Sequence, residues 1–266
     1  MEMIKLLIIG VIQGIAELLP ISSSAHILII GKLMNLDISS SLLITFHLGT
    51  TIAIMIFFWR KIFKNFLSKS KLLFFLKIFV ASIPAAIVGL LFDEIISEKL
   101  RAEWIIALSL ILWGIVMIVV EKKCIKEDEE RLSDIEKISW KQAILIGLSQ
   151  TIALIPGTSR SGITTITGII MGLKKFAALE FSFFLSIPIL LGTFIWLIIK
   201  NPSISNFETI VGQPISLNIF IILISTLMFG IITLLVLNMM KKSRWLTVFG
   251  IYRIILGGII LILFYL

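Results

Sequence analysis

The sequence predicts an all-α polytopic membrane protein with an inverted-topology repeat, each half contributing one re-entrant helical hairpin and three spanning helices. Three observations carry that expectation. Hydrophobic residues make up 58% of the chain and charged ones only 15%, with a mean hydropathy of +1.10, where a soluble domain carries about 25% charged residues. Six uninterrupted apolar runs are long enough to cross a hydrocarbon core about 30 Å thick. Two further apolar regions are each broken near the middle by a proline, hydroxyl residues and a charge, so that half of either is too short to span.

In chain order, the first broken region is Met3–Met34 and is expected to dip into the membrane and return to the same face. Non-helical backbone at that depth is tolerated only where protein or a wet cavity surrounds it. Spans are expected near residues 42–58, 72–92 and 104–120, closing a first repeat over 1–120. Residues 121–141 form a charged cytoplasmic linker, read as a solvated run without a catalytic role. The second repeat, 142–266, opens with the broken region Gln142–Leu173 and continues with spans near 179–199, 215–237 and 246–266. Gln13/Gln150, Ala16/Ala153, Pro20/Pro156 and Ser23/Ser159 match between the two broken regions, with one residue extra in the first copy. Three spans per half is an odd number, so the halves have opposite orientation and the hairpins face one another near the midplane.

The basic residues orient the chain. Loop Arg60–Lys77 holds six of them and no acid, and Glu121–Lys141 holds six more. Lys174, Lys175, Lys241, Lys242 and Arg244 fall on the same side if both hairpins are re-entrant, leaving Lys5, Lys32, Lys99, Arg101 and Lys200 opposite. The rich side is cytoplasmic, and both termini then face outward. The net charge of +8 is distributed between apolar segments, with no nucleic-acid-binding motif, so no nucleic acid partner is expected. A single cysteine, Cys124, excludes an internal disulfide and a zinc cluster. Lys5 ahead of an apolar run imitates a signal peptide, but no cleavage site follows and Glu17 with Pro20 breaks the pattern, so no cleavage is expected.

Polar groups at membrane depth are functional candidates by default. Gln13 and Glu17, four apart, share one helix face, and Glu17 needs a cation, a metal ion or a proton there. Ser22, Ser23, Ser24 and His26 follow Pro20. In the second loop, Gly157, Thr158, Ser159, Arg160, Ser161 and Gly162 suit an oxyanion: glycines admit a close backbone, the following helix start offers N–H groups, and Arg160 adds a planar fork of donors. An anion beside Glu17 calls for a bridging divalent cation, and hard oxygen ligands suit Mg²⁺ or Ca²⁺. His47 reads as a helix–helix hydrogen-bonding group and Glu180 as a solvated or capping residue. Arg253, inside the last span, is expected either to pair with Glu17 or to support a loop. The constellation fits either phosphate hydrolysis or transport.

Both loops resemble the signature regions of the undecaprenyl-pyrophosphate phosphatases of the bacitracin-resistance type. The likeness lies in Gln13-Gly14-Ile15-Ala16-Glu17, in Pro20-Ile21-Ser22-Ser23-Ser24-Ala25-His26, and in Pro156-Gly157-Thr158-Ser159-Arg160-Ser161-Gly162. It extends through Glu180-Phe181-Ser182-Phe183-Phe184-Leu185-Ser186-Ile187-Pro188 and Tyr252-Arg253-Ile254. Ala25 stands where glycine is usual, and Gln13 leaves one carboxylate where two can occur.

The resemblance implies removal of the terminal phosphate from a C55 polyprenyl diphosphate, regenerating the carrier lipid for peptidoglycan synthesis and conferring bacitracin resistance. It also implies a divalent cation, Mg²⁺ or Ca²⁺, and a site open to the outer face of the bacterial cytoplasmic membrane. Glu17, Ser23, His26 and Arg160 are then the catalytic residues. Ser22, Ser24, Gly157, Thr158, Ser159, Ser161 and Gly162 hold the diphosphate, Glu17 and Gln13 the metal, and Arg253 supports the site. Two versions of the chemistry stay open: Ser23 attacks while His26 takes its proton, the preferred version, or His26 attacks itself. A polyprenyl-phosphate transporter is the alternative function, and a homodimer is compatible with either.

Overall fold

A computed structural model describes residues 2–36, 40–124, 131–200, 215–240 and 244–265. Lys241, Lys242 and part of the charged linker, residues 125–130, lie outside them. All regular structure among the described residues is helical. Helix α1 (Glu2–Ala16) and helix α2 (Ser23–Leu33) form the first broken region, followed by α3 (Ser40–Phe57), the short α4 (Trp59–Phe63), α5 (Lys69–Leu91), the short α6 (Asp93–Glu98) and α7 (Glu103–Cys124). The second broken region holds α8 (Trp140–Ser149), a 3₁₀ turn over Gln150–Leu154 and α9 (Arg160–Ile170). Three long helices close the chain: α10 (Lys175–Lys200), α11 (Ile215–Met239) and α12 (Trp245–Tyr265).

Five of these, α5, α7, α10, α11 and α12, are long and apolar enough to cross a membrane. The sixth expected span forms α3, whose fully described apolar stretch is Thr45–Phe57. By contrast α1 and α8 are about 22 and 15 Å long at 1.5 Å per residue, and α2 and α9 about 16 Å. Each broken region therefore supplies two half-length helices, because the Pro-containing loop ends the first and a serine with positive φ starts the second. Those serines are Ser22 (φ 72°) and Ser159 (φ 70°). The backbone thus matches Ser22 with Ser159, one residue earlier than the Ser23/Ser159 likeness. Large apolar side chains on α5 at Leu72, Leu76, Phe79, Ile83, Ile87 and Leu90 are exposed at three- and four-residue intervals, as a lipid-facing stripe requires.

Helix α1 packs on α11, and α8 packs on α5; likewise α3 meets α11 and α10 meets α5. The pairs α7–α12 and α3–α10 complete the framework. Without a hydrophobic driving force in lipid, close backbone approach at small residues holds such helices together. At the α7–α12 crossing, a Cβ on Gly114 would stand 2.7 Å from the Gly250 carbonyl. A Cβ on Gly147 of α8 would stand 2.1 Å from the Ala81 carbonyl of α5. Phe58, Phe74, Phe181, Phe183 and Phe184 interlock between α3, α5 and α10, filling the centre with rigid aromatic volume.

The basic side differs from the solvated linker expected. Ile135 and Ile138 are fully buried, and Lys71 donates to Glu136. Glu121 pairs with Lys175 at 2.9 Å, both buried, and its other oxygen accepts from the Thr247 backbone N–H at 2.6 Å, capping α12. Glu180 is also not the solvated group expected: it is buried and accepts from Lys61 Nζ at 2.7 Å. A carboxylate held in so apolar a place needs that partner.

Candidate functional site

The two broken regions meet at the carboxylate of Glu17, in the loop just after α1. Glu17 Oε1 accepts from an Arg160 guanidinium nitrogen at 2.6 Å. Its Oε2 accepts from Ser23 Oγ at 2.6 Å and Gln13 Nε2 at 3.0 Å. His47 Nδ1 of α3 lies 3.0 Å from the same oxygen and 2.9 Å from Gln13 Nε2. Ser23 is the first residue of α2 and Arg160 the first of α9, so corresponding positions of the two broken regions grip opposite oxygens of one buried carboxylate. Two helix N-termini turned toward an anion also lower its energy. The second donor of Arg160 goes to the Ser182 carbonyl of α10 at 3.3 Å, which fixes the guanidinium between the loops.

Arg253 takes the second of its two expected roles. It does not meet Glu17; fully buried, it donates to the Pro20 carbonyl at 3.1 Å and to the Gly157 and Thr158 carbonyls at 2.6 and 2.9 Å. One side chain from α12 thereby ties the two loops together. Ser161 adds a second tie, its Oγ donating to the Leu19 carbonyl at 3.1 Å.

Several hydroxyls assigned to phosphate from the sequence have structural partners. Ser159 Oγ caps α9 by accepting from the Gly162 N–H at 3.2 Å. Thr158 Oγ1 lies 3.0 Å from Ser109 Oγ of α7, away from Glu17. Ser22 Oγ lies 3.3 Å from Ser24 Oγ. The glycines likewise accommodate protein: Gly157 has φ +93°, and a Cβ there would stand 2.5 Å from the Ile106 carbonyl of α7, while one on Gly162 would stand 3.2 Å from Arg253.

His26 is not brought to Ser23. Its Nδ1 lies 2.8 Å from the Ser22 carbonyl and its Nε2 2.6 Å from the Tyr252 hydroxyl, while Ser23 Oγ turns to Glu17. The preferred proton transfer from Ser23 to His26 therefore has no geometric counterpart here; the group in position to take that proton is Glu17. Sequence reasoning gave His47 only a helix–helix hydrogen-bonding role and Tyr252 no role beyond its place in the Tyr252-Arg253-Ile254 likeness. His47 carried a signal, an ionisable group well inside an apolar helix, and only the packing of α3 beside α1 gives it a partner.

Fold and centre together define a polytopic helical membrane protein whose polar loops converge on a carboxylate–arginine–serine cluster. Within that class the family is identified by sequence: residues 6–259 match the family model described as "Bacitracin resistance protein BacA", and the chain belongs to that family. It is 33% identical to an undecaprenyl-diphosphatase of Enterococcus faecalis, over 98% of this chain and 97% of the relative. It is 34% identical to undecaprenyl-diphosphatase 1 of Clostridioides difficile (100% and 97%) and 36% identical to an undecaprenyl-diphosphatase of Methanococcus aeolicus (99% of each).

Proposed function

We propose that this chain hydrolyses undecaprenyl diphosphate to undecaprenyl phosphate and inorganic phosphate, with Glu17, Ser23 and Arg160 as its reacting centre. Family membership and full-length relatives of that activity support the reaction. The observation that carries the assignment of residues is the convergence of Ser23 and Arg160 on one carboxylate. Ser23 Oγ attacks the terminal phosphorus as the bond to the bridging oxygen breaks, its proton passing to Glu17 Oε2. Glu17 gives that proton to the departing lipid phosphate, then takes one from the water that displaces phosphate from the serine and returns it to Ser23 Oγ. Arg160 and the α9 N-terminus balance the charge that spreads over the phosphoryl oxygens.

A divalent cation fits the donors present. Gln13 Oε1 is buried without a hydrogen-bond partner, and it lies in the same side chain that contacts Glu17. An amide oxygen and a carboxylate are hard ligands suited to Mg²⁺ or Ca²⁺. No group of three His, Cys, Asp or Glu side chains suited to a metal occurs among the described residues; Gln13 and Glu17 would hold the ion together with oxygens of the substrate. When bound, the cation offsets the charge of the diphosphate beside Glu17.

The inverted repeat and the re-entrant hairpins belong to the same proposal. The exchange of partners between halves supports them, α1 on α11 against α8 on α5. So does the pairing of Gly10 with Gly147, which have the same offset as Gln13 and Gln150 and each sit in a close helix crossing. With the basic loops inside, the site opens outward and both termini lie outside. A cysteine introduced at Lys69 then resists impermeant reagents added externally, and labelling there from outside contradicts the orientation. The hydrolysis itself is tested by phosphate release from the purified chain, titrated with chelator: release that survives complete removal of divalent cations contradicts the cation reading.

A further inference from the structure

Tyr252 has a surrounding that membrane anchoring does not explain. It is the eighth residue of α12, about 10 Å along the helix, whereas anchoring tyrosines sit at helix ends in the interface. The residue is 41% exposed, yet its hydroxyl turns inward to His26 Nε2 at 2.6 Å. The two rings lie parallel within 4°, centroids 5.7 Å apart. On the other side of the imidazole, Nδ1 faces the Ser22 carbonyl at 2.8 Å. A carbonyl only accepts, so Nδ1 carries hydrogen and donates. In the neutral ring Nε2 is then the acceptor, and the tyrosine hydroxyl its donor.

The chain of contacts continues to the reacting centre. Ser22 has left-handed backbone, φ 72° and ψ 88°, a conformation a serine adopts only when its surroundings enforce it. Its carbonyl accepts from both the His26 backbone N–H at 3.3 Å and the His26 ring. The residue that this turn aims is Ser23, whose Oγ lies on Glu17.

We propose that Tyr252 is a positioning residue: through His26 it holds the strained Ser22 turn and so aims Ser23 at Glu17. This rests on the reading of Ser23 as nucleophile. Tyr252 comes from α12 and Ser23 from α2, so the brace runs from the second half of the chain to the first. It also accounts for the orientation of His26 away from Ser23. The imidazole joins two structural groups, the Ser22 carbonyl and the Tyr252 hydroxyl.

The chain has two histidines, so ¹⁵N-histidine labelling of the full-length protein in lipid nanodiscs resolves both rings, with His47→Gln assigning them. The wild-type spectrum is expected to contain His26 as the Nδ1–H tautomer with a hydrogen-bonded, unprotonated Nε2. Tyr252→Phe, which removes one oxygen, is expected to shift Nε2 to the unbonded position and to lower kcat about tenfold with KM unchanged, the pattern of lost alignment. In a His26→Gln background the same substitution should have no further effect, since the two residues act in series. A protonated Nε2 in the wild type, or an unchanged His26 spectrum in Tyr252→Phe, overturns the brace, and so do additive kinetic effects. Failure of the Ser23 reading is separate: Ser23→Ala would remain active while the spectra still report the Tyr252–His26 bond.

Discussion

Replacing Arg253 by methionine keeps an unbranched apolar stem and removes the guanidinium that donates to both polar loops. Three carbonyls lose a charged donor: Pro20 in the first loop, Gly157 and Thr158 in the second. A hydrogen bond to a charged group contributes about 1.5–3 kcal/mol, but three from one guanidinium are not independent. Removing one partner of a buried charged network costs about 3–5 kcal/mol, which bounds the sum. For a chain of this size each kcal/mol moves the melting temperature by about 2–4 °C, so a fall on the order of 10 °C is expected. The loops carrying Ser23 and Arg160 keep the Ser161–Leu19 and Arg160–Glu17 contacts but lose the clamp, and phosphate release should drop about 100-fold. Arg253→Lys should recover only part of this, because an ammonium cannot serve three carbonyls with a planar fork. Thermal unfolding of the purified protein in detergent, with phosphate release measured in parallel, provides both numbers. A variant melting within about 2 °C of the parent and retaining its activity would falsify the clamp.

Arg160→Ala and Glu17→Ala should each reduce phosphate release by about 10²–10³ or more while the protein still inserts and purifies, since they remove charge stabilisation and the proton acceptor; near-full activity of either refutes its assignment. His47→Ala should lower activity with little change in melting temperature, because the ring contacts Glu17 and Gln13; an unchanged rate would return it to a packing role. Gly157→Ala should destabilise by about 1–3 kcal/mol, combining a positive φ with a Cβ aimed at the Ile106 carbonyl, and a neutral substitution there would contradict the loop geometry. Glu121→Ala removes the buried carboxylate that pairs with Lys175 and caps α12, and should cost about 3–5 kcal/mol in chemical unfolding.

The half-length helices and the residues around Glu17 were legible because polar groups in apolar segments have few explanations. Gln13, Glu17, Ser23 and Arg160 stood out for that reason, and they do meet. What the sequence could not disclose was orientation within the loops. Ser23 and His26, three residues apart at the start of a helix, suggested a nucleophile and its base, but the left-handed turn at Ser22 directs His26 toward Tyr252, 226 residues away. The serine and threonine hydroxyls of the second loop looked like a phosphate cradle; Ser159 caps a helix, Ser161 ties the loops and Thr158 faces α7. Short polar side chains satisfy their own backbone as readily as a ligand, and composition does not distinguish the two. His47 was read as a helix–helix hydrogen-bonding group, but which groups it meets was not legible, because Glu17 and Gln13 lie 30 and 34 residues earlier in the chain. Arg253 had been left between two roles, and only the distances to Pro20, Gly157 and Thr158 decide between them.

Incubating purified protein with undecaprenyl diphosphate, a divalent cation and a rapid acid quench tests the central claim most directly, by asking which residue carries phosphate during turnover. A phosphoserine at position 23, formed and lost at the rate of phosphate release and absent from Glu17→Ala, is the expected result. Phosphate on His26, or phosphate release with no phosphoserine at position 23, would contradict it.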